Sequence, residues 1–250
     1  MIAPSASGEP AGKRKLLAPI WHTVGLVVLI FGTSAASYLT SHRFLNASPQ
    51  AAVANRAAML VTYAGTLVLE WVFFLYVYLG EKFSRGTRIA ERVGGRWSSA
   101  RDFWRDIGIA LALWVVLTVF GGIVGHLLHP KGMETVLKLL PRDAAEIIAW
   151  LLVCVSAGFC EEYVFRGYLQ EQFRLLTGKV RIAVALQAIV FGFGHGYQGV
   201  ALMLTIIVYG LLIGATAAWR KSLRPVMIAH GWLDFFEGFA FYVAHALHQI

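Results

Sequence analysis

Seven apolar stretches, each close to the length that crosses a bilayer, divide this 250-residue chain. They lie near residues 17–40, 57–79, 106–128, 146–169, 182–197, 199–219 and 225–247. A bilayer core asks about 20 apolar residues of a spanning helix. Hydrophobic residues make up 58% of the chain and charged residues 14%, where a soluble domain carries about a quarter charged. An ordinary soluble fold is excluded. The pattern predicts an all-α, polytopic membrane bundle of about seven transmembrane helices.

The net charge of +8 would point to nucleic acid if the basic residues formed one solvated face. They sit between the apolar stretches instead, so no nucleic-acid partner is expected, and the bilayer is. With a cytoplasmic N-terminus, 16 Lys and Arg fall inside and 5 outside. Cytoplasmic loops carry such an excess. The reading is a multi-pass protein of the plasma membrane with its N-terminus in the cytoplasm. Lys13-Arg14-Lys15 before an apolar run has the form of a signal peptide, with Ser34-Ala35-Ala36 beyond it. That run is long for a signal peptide, so an uncleaved first helix is expected.

Three regions follow. Residues 1–15 are polar and expected to be disordered. Residues 16–145 read as supporting transmembrane helices. Within them, the basic segment 81–105 carries Phe83, Trp97, Phe103 and Trp104. It reads either as a cytoplasmic surface segment for anionic headgroups or as a plain topology anchor. Residues 146–250 read as the catalytic core, because the acidic and histidine motifs gather there. Cys154 and Cys160, six apart on one helix, point in different directions and form no disulfide. Asn46-Ala47-Ser48 formally matches a glycosylation acceptor.

The chemistry starts at Glu161-Glu162-Tyr163-Val164-Phe165-Arg166, which follows the uncharged run 147–158. Charge at membrane depth is costly and needs a partner or a function. Glu162 and Arg166, four apart, share a helix face and can pair. Glu161 is turned about 100° away, which leaves one acid free to act as a general base. Phe191 lies one turn before His195 and could wall its imidazole, with Gly192, Gly194 and Gly196 leaving space beside it. His230 and Asp234, again four apart, share a face that Glu237 extends. Each histidine alone could equally be structural. Gly121/Gly125, Gly192/Gly196 and Gly210/Gly214 read first as close-packing pairs. No H-E-x-x-H zinc motif is present, and no serine sits in a convincing nucleophile setting.

Glu161-Glu162-x-x-x-Arg166, Phe191-x-x-x-His195 and His230-x-x-x-Asp234 resemble, in order and spacing, the three motifs of the CPBP (Abi) family. That family includes the type II CAAX prenyl endopeptidases and bacteriocin-processing or immunity membrane proteins. The resemblance covers about residues 145–240. It implies an intramembrane endopeptidase acting on a peptide or prenylated protein. Glu161 would activate a water with help from His195. Glu162 and Arg166 would orient the site, and His230 with residue 234 would stabilise the oxyanion. The prenyl endopeptidases typically carry Asn where this chain has Asp234. An ionised Asp cannot donate a hydrogen bond, so Asp234 is protonated, orients His230, or binds a metal. Glu161, His195, His230 and Asp234 are the candidate ligands for a zinc ion; a metal-free glutamate mechanism is the preferred reading. The competing readings are a non-enzymatic immunity or scaffold protein, and a proton-coupled transporter relaying through Glu70, Glu161, His195 and Asp234. One conflict stands: straight helices with these boundaries put Glu161 and His230 in the cytoplasmic half and His195 in the outer half.

Overall fold

The computed structural model describes residues 15–45, 56–130 and 133–247. Most of the expected disordered segment 1–15, the Asn46–Ser48 acceptor and Lys131 lie outside those residues. Among the described residues there is no strand. Helices α1 (Ile20–Leu45), α2 (Arg56–Arg85) and α4 (Ala100–Leu128) form the first three spans, with a short α3 (Ile89–Val93) between the last two. After α5 (Met133–Leu139) comes a single long rod. It begins as α6 (Ala144–Glu162), passes through a π-helical turn (Tyr163–Leu169) and ends as α7 (Gln170–Thr177). Then follow α8 (Val180–Gly194), a 3₁₀ turn (Gly196–Gln198), α9 (Val200–Arg220) and α10 (Arg224–Ala246).

Helices cover all seven predicted spans. Five segments are long and apolar enough to cross a membrane by length and composition: 20–39, 56–85, 100–128, 144–177 and 200–220. α8 has only 15 residues. α10 has the length, but His230, Asp234 and Glu237 dilute its apolar character. Apolar side chains such as Val61, Val116, Leu128, Val155 and Leu204 point outward, as a lipid-facing surface requires. This is an all-α, multi-pass membrane bundle.

Two apolar clusters hold it together. One joins Leu26 and Ile30 of α1, Phe74 of α2, Tyr163 and Phe165 of the π turn, and Phe191 of α8. The other joins Leu117 of α4, Ile213 and Ala217 of α9, and Val226 of α10. α1 is thus bound into the core, with Nδ1 of His22 and the Thr23 hydroxyl both against the Tyr168 hydroxyl (3.2 and 2.9 Å). At the basic end of the bundle, Asp106 accepts from Trp97 and Arg220 (2.9 and 2.7 Å) and pairs with Arg224 (3.0 Å). Leu223 N–H donates to the Val93 carbonyl (3.0 Å). These bonds seat the first turn of α10 on the 89–106 segment, well inside the bundle. So Arg92, Arg105, Arg220 and Arg224, counted above as topology charges, also hold ion pairs to Glu81, Asp102 or Asp106.

Candidate active site

The depth conflict disappears because the fourth rod is longer than predicted. It runs on to Thr177, eight residues past the expected end at 169. Glu161 and His195 each lie 17 residues from Gly178 at the turn between α7 and α8, about 25 Å at 1.5 Å per residue. The two now stand at matching heights on adjacent helices.

The third motif arrives through two glycines that face each other. A Cβ on Gly158 would stand 2.7 Å from the Met227 carbonyl oxygen and 3.1 Å from the Gly231 nitrogen. On Gly231 it would stand 3.2 Å from the Cys154 carbonyl oxygen. α6 and α10 therefore touch backbone to backbone, the close approach that small residues permit. That contact delivers His230 to Glu162. Sequence periodicity does not reveal it, because the two glycines lie on helices far apart in the chain. Of the two parts expected of the glycines at 192, 194 and 196, close packing is the main one. Gly192 admits Ile207 and the Met203 carbonyl, Gly194 faces Ile30, and Gly196 faces Ser34. They seat α8 against α9 and α1 more than they open space beside the imidazole.

The two adjacent glutamates have opposite surroundings. The side chains of Glu162 and Arg166 are 0% exposed. Nη1 of Arg166 donates to Oε1 of Glu162 (2.8 Å), and Nδ1 of His230 donates to the same oxygen (2.7 Å). The Arg166 guanidinium also lies over the Phe191 ring, 4.3 Å from its centroid, a favourable cation–π position. A carboxylate held by arginine only accepts, so Nδ1 of His230 carries the proton and Nε2 is turned outward. Nε2 stands 3.9 Å from Glu161 and 3.5 Å from Asp234. Glu161 keeps 23% of its side chain exposed, while its Oε2 is buried with no hydrogen-bond partner among the described residues. On α8, Nδ1 of His195 donates to the Phe191 carbonyl (2.9 Å). This fixes the tautomer and leaves Nε2 as the acceptor. Phe191 packs edge-on against both imidazoles, at 4.8 Å from His195 and 6.2 Å from His230.

A π turn follows the two acids directly. Such turns are rare and frequent at functional sites. Here the N-terminal helices clamp it. The Tyr163 hydroxyl donates to one oxygen of Glu81 (2.9 Å), and Arg92 donates to the other (2.6 Å). Tyr168 is held by α1, as above. A cavity of about 310 Å³ lies on the opposite side of the rod, bordered by Glu161, His195, His230 and Asp234. A neighbouring one of about 190 Å³ shares Glu161 and His195 with it. Glu162 and Arg166 border neither. Four of the six sequence candidates thus meet at one hollow, and the other two form the wall behind His230.

Residues 143–236 match the family model described as Type II CAAX prenyl endopeptidase Rce1-like. The match makes this segment similar to Rce1-like proteins and covers under half of the chain. No curated protein and no solved structure matches the chain. The matched segment reaches from Asp143, which caps α6, through most of α10. It contains all six candidates. It does not contain Glu70 of α2, which borders both cavities and is 7% exposed. The sequence signal for Glu70 was only its charge in the middle of an apolar span. Tyr197, in the 3₁₀ turn beside His195, borders both cavities as well.

The candidate zinc ligands do not assemble as arranged. Among the described residues no three His, Cys, Asp or Glu side chains group closely enough to hold a metal ion.

Proposed function

We propose that this protein is an intramembrane endopeptidase that hydrolyses a membrane-associated peptide with a water activated by Glu161. A prenylated C-terminus is the substrate class that the family description carries. The observation behind the proposal is the split between neighbouring acids: Glu162 is held at Oε1 by Arg166 and His230 and borders neither cavity, while Glu161 borders both and makes no hydrogen bond at Oε2. A structural polar network would need only the first.

Glu161 takes one proton from a water in the cavity, and Nε2 of His195 accepts the other water hydrogen. The water oxygen adds to the scissile carbonyl carbon, and the carbonyl electrons move to oxygen. In its imidazolium form His230 donates from Nε2 to that oxyanion, an arrangement that stabilises charge as it develops. Asp234 balances the imidazolium from the cavity side, and Glu162 with Arg166 fixes the ring from behind. When the tetrahedral centre collapses, the C–N bond breaks and Glu161 returns its proton to the amine. The resulting products are an amine and a carboxylic acid, whose proton passes to Nε2 of His195 to leave the carboxylate.

The bias of basic residues supports a cytoplasmic N-terminus. The test is incubation of the purified full chain with lipidated and unlipidated peptides, with and without a chelator, followed by mass spectrometry. Cleavage that survives the chelator is expected. Cleavage abolished by the chelator and restored by zinc would replace the metal-free mechanism. No cleavage of any peptide would favour the scaffold reading.

A further inference from the structure

The cavity is acidic to a degree that peptide hydrolysis does not explain. Glu70, Glu161, Asp234 and Glu237 all border it, and none of the described residues bordering it is Lys or Arg. Hydrolysis as derived above uses Glu161 and places Asp234 beside His230. It gives Glu70 no task. Glu70 comes from α2, outside the matched segment, and borders the same cavity. It is 93% buried, and its Oε2 has no hydrogen-bond partner among the described residues. Ser156 hydrogen-bonds its carboxyl group but leaves that oxygen without a partner. A buried carboxyl oxygen with no partner is costly, and it persists where a ligand can complete it.

We infer that Glu70 is a specificity-determining residue that receives a cationic side chain, a lysine or arginine of the peptide, beside the scissile bond. The inference rests on the endopeptidase reading for its substrate. The cation binding itself can be measured without cleavage. A primary ammonium entering the cavity meets Glu70 directly and gains from the other acids around it. An acidic side chain at the same position meets four carboxyl groups and no Lys or Arg. The apolar remainder of the cavity (Tyr63, Phe191, Leu202, Ile206) accepts the methylene stem of the same residue, as long basic side chains require.

The experiment compares three hydrophobic peptides identical except at one position, where they carry lysine, its uncharged isostere norleucine, or glutamate. Each is titrated onto the purified full chain in detergent, and each is separately tested for cleavage. The lysine peptide is expected to bind at least about tenfold tighter than the norleucine peptide, about 1.4 kcal/mol, with the glutamate peptide weakest. Glu70→Gln should bring the lysine peptide close to the norleucine peptide, and Glu70→Asp should retain part of the preference. Melting curves check that both variants are folded. Equal binding of lysine and norleucine peptides by the wild type overturns the inference, as does a preference that survives Glu70→Gln. Lysine-dependent binding without cleavage would sink the peptidase reading and keep the cation site; cleavage without that preference would do the reverse.

Discussion

The two sides of the α6–π rod differ in how their polar groups are matched. On the side facing α1, α2 and α3, the groups find partners. Tyr163 and Arg92 share the two oxygens of Glu81, and Tyr168 is held by His22 and Thr23. On the side facing the cavity, Glu161 and Glu70 each keep a buried oxygen without one. Between the two sides lies Glu162, whose Oε1 accepts from both Arg166 and His230. The difference teaches a division of labour. The N-terminal helices stabilise the rod, while the acids bordering the cavity keep carboxyl oxygens that a ligand can reach.

Exchanging one neighbour for the other breaks the comparison most severely. Glu161→Gln should lower cleavage by on the order of 10²–10⁴-fold, the range for losing a general base, while the melting temperature stays near that of the wild type. Glu162→Gln should instead destabilise the protein, because it strands the buried guanidinium of Arg166. Breaking a buried pair on one side costs about 3–5 kcal/mol. The double change Glu162→Gln with Arg166→Met should recover part of that stability in denaturant titrations, although not activity, since His230 loses its anchor. Equal stability loss at 161 and 162 would erase the distinction between the two faces.

A smaller effect is expected where α6 meets α10. Gly158→Ala puts a methyl against backbone that cannot rotate away. Overpacking of this kind costs about 1–3 kcal/mol. It should also reduce cleavage, because His230 moves with α10 away from Glu161. Gly65, with open space around its Cβ direction, is the control position for the same substitution.

The smallest effect lies outside the membrane, at the start of the rod. Asp143 caps α6 by accepting from the Ala145 and Glu146 backbone N–H groups (2.8 and 3.0 Å). The Glu146 N–H, with further help from Arg56, holds its carboxyl group below the usual carboxylate value. A depressed value in the folded state means stabilisation that is fully present above the unfolded value near pH 3.9. It is lost as pH falls through the lower folded value. Asp143→Ala should cost about 1 kcal/mol at neutral pH and show less acid-dependent destabilisation than the wild type in melting curves from pH 6 to pH 2.

Much of this arrangement was readable from residue order alone. Spacing by four placed Glu162 with Arg166, Phe191 with His195, and His230 with Asp234, because helix geometry is local. The separation of Glu161 from Glu162 followed from the 100° step between neighbours. What stayed hidden was long-range. The rod continues to Thr177 through Arg174, whose charge is neutralised by Glu171, so an apolar window stops too early. α10 begins inside the bundle because Leu223 bonds to Val93, a contact across 130 residues. Gly158 and Gly231 recognise each other only in three dimensions. Residue order could group Glu70 with Glu161, His195 and Asp234 only as an alternative relay; the fold is what puts all four on the border of one cavity.

The role of Glu161 is tested most directly by a single turnover in H₂¹⁸O, using excess full-length enzyme and one cleavable peptide. The expected result is one ¹⁸O atom in the new carboxyl group of the product, and no product from the folded Glu161→Gln variant over the same interval. A first-turnover product carrying only unlabelled oxygen would contradict it, because the glutamate itself, and not a water it activates, would then have attacked the peptide. Undiminished product from the Glu161→Gln variant would contradict it equally.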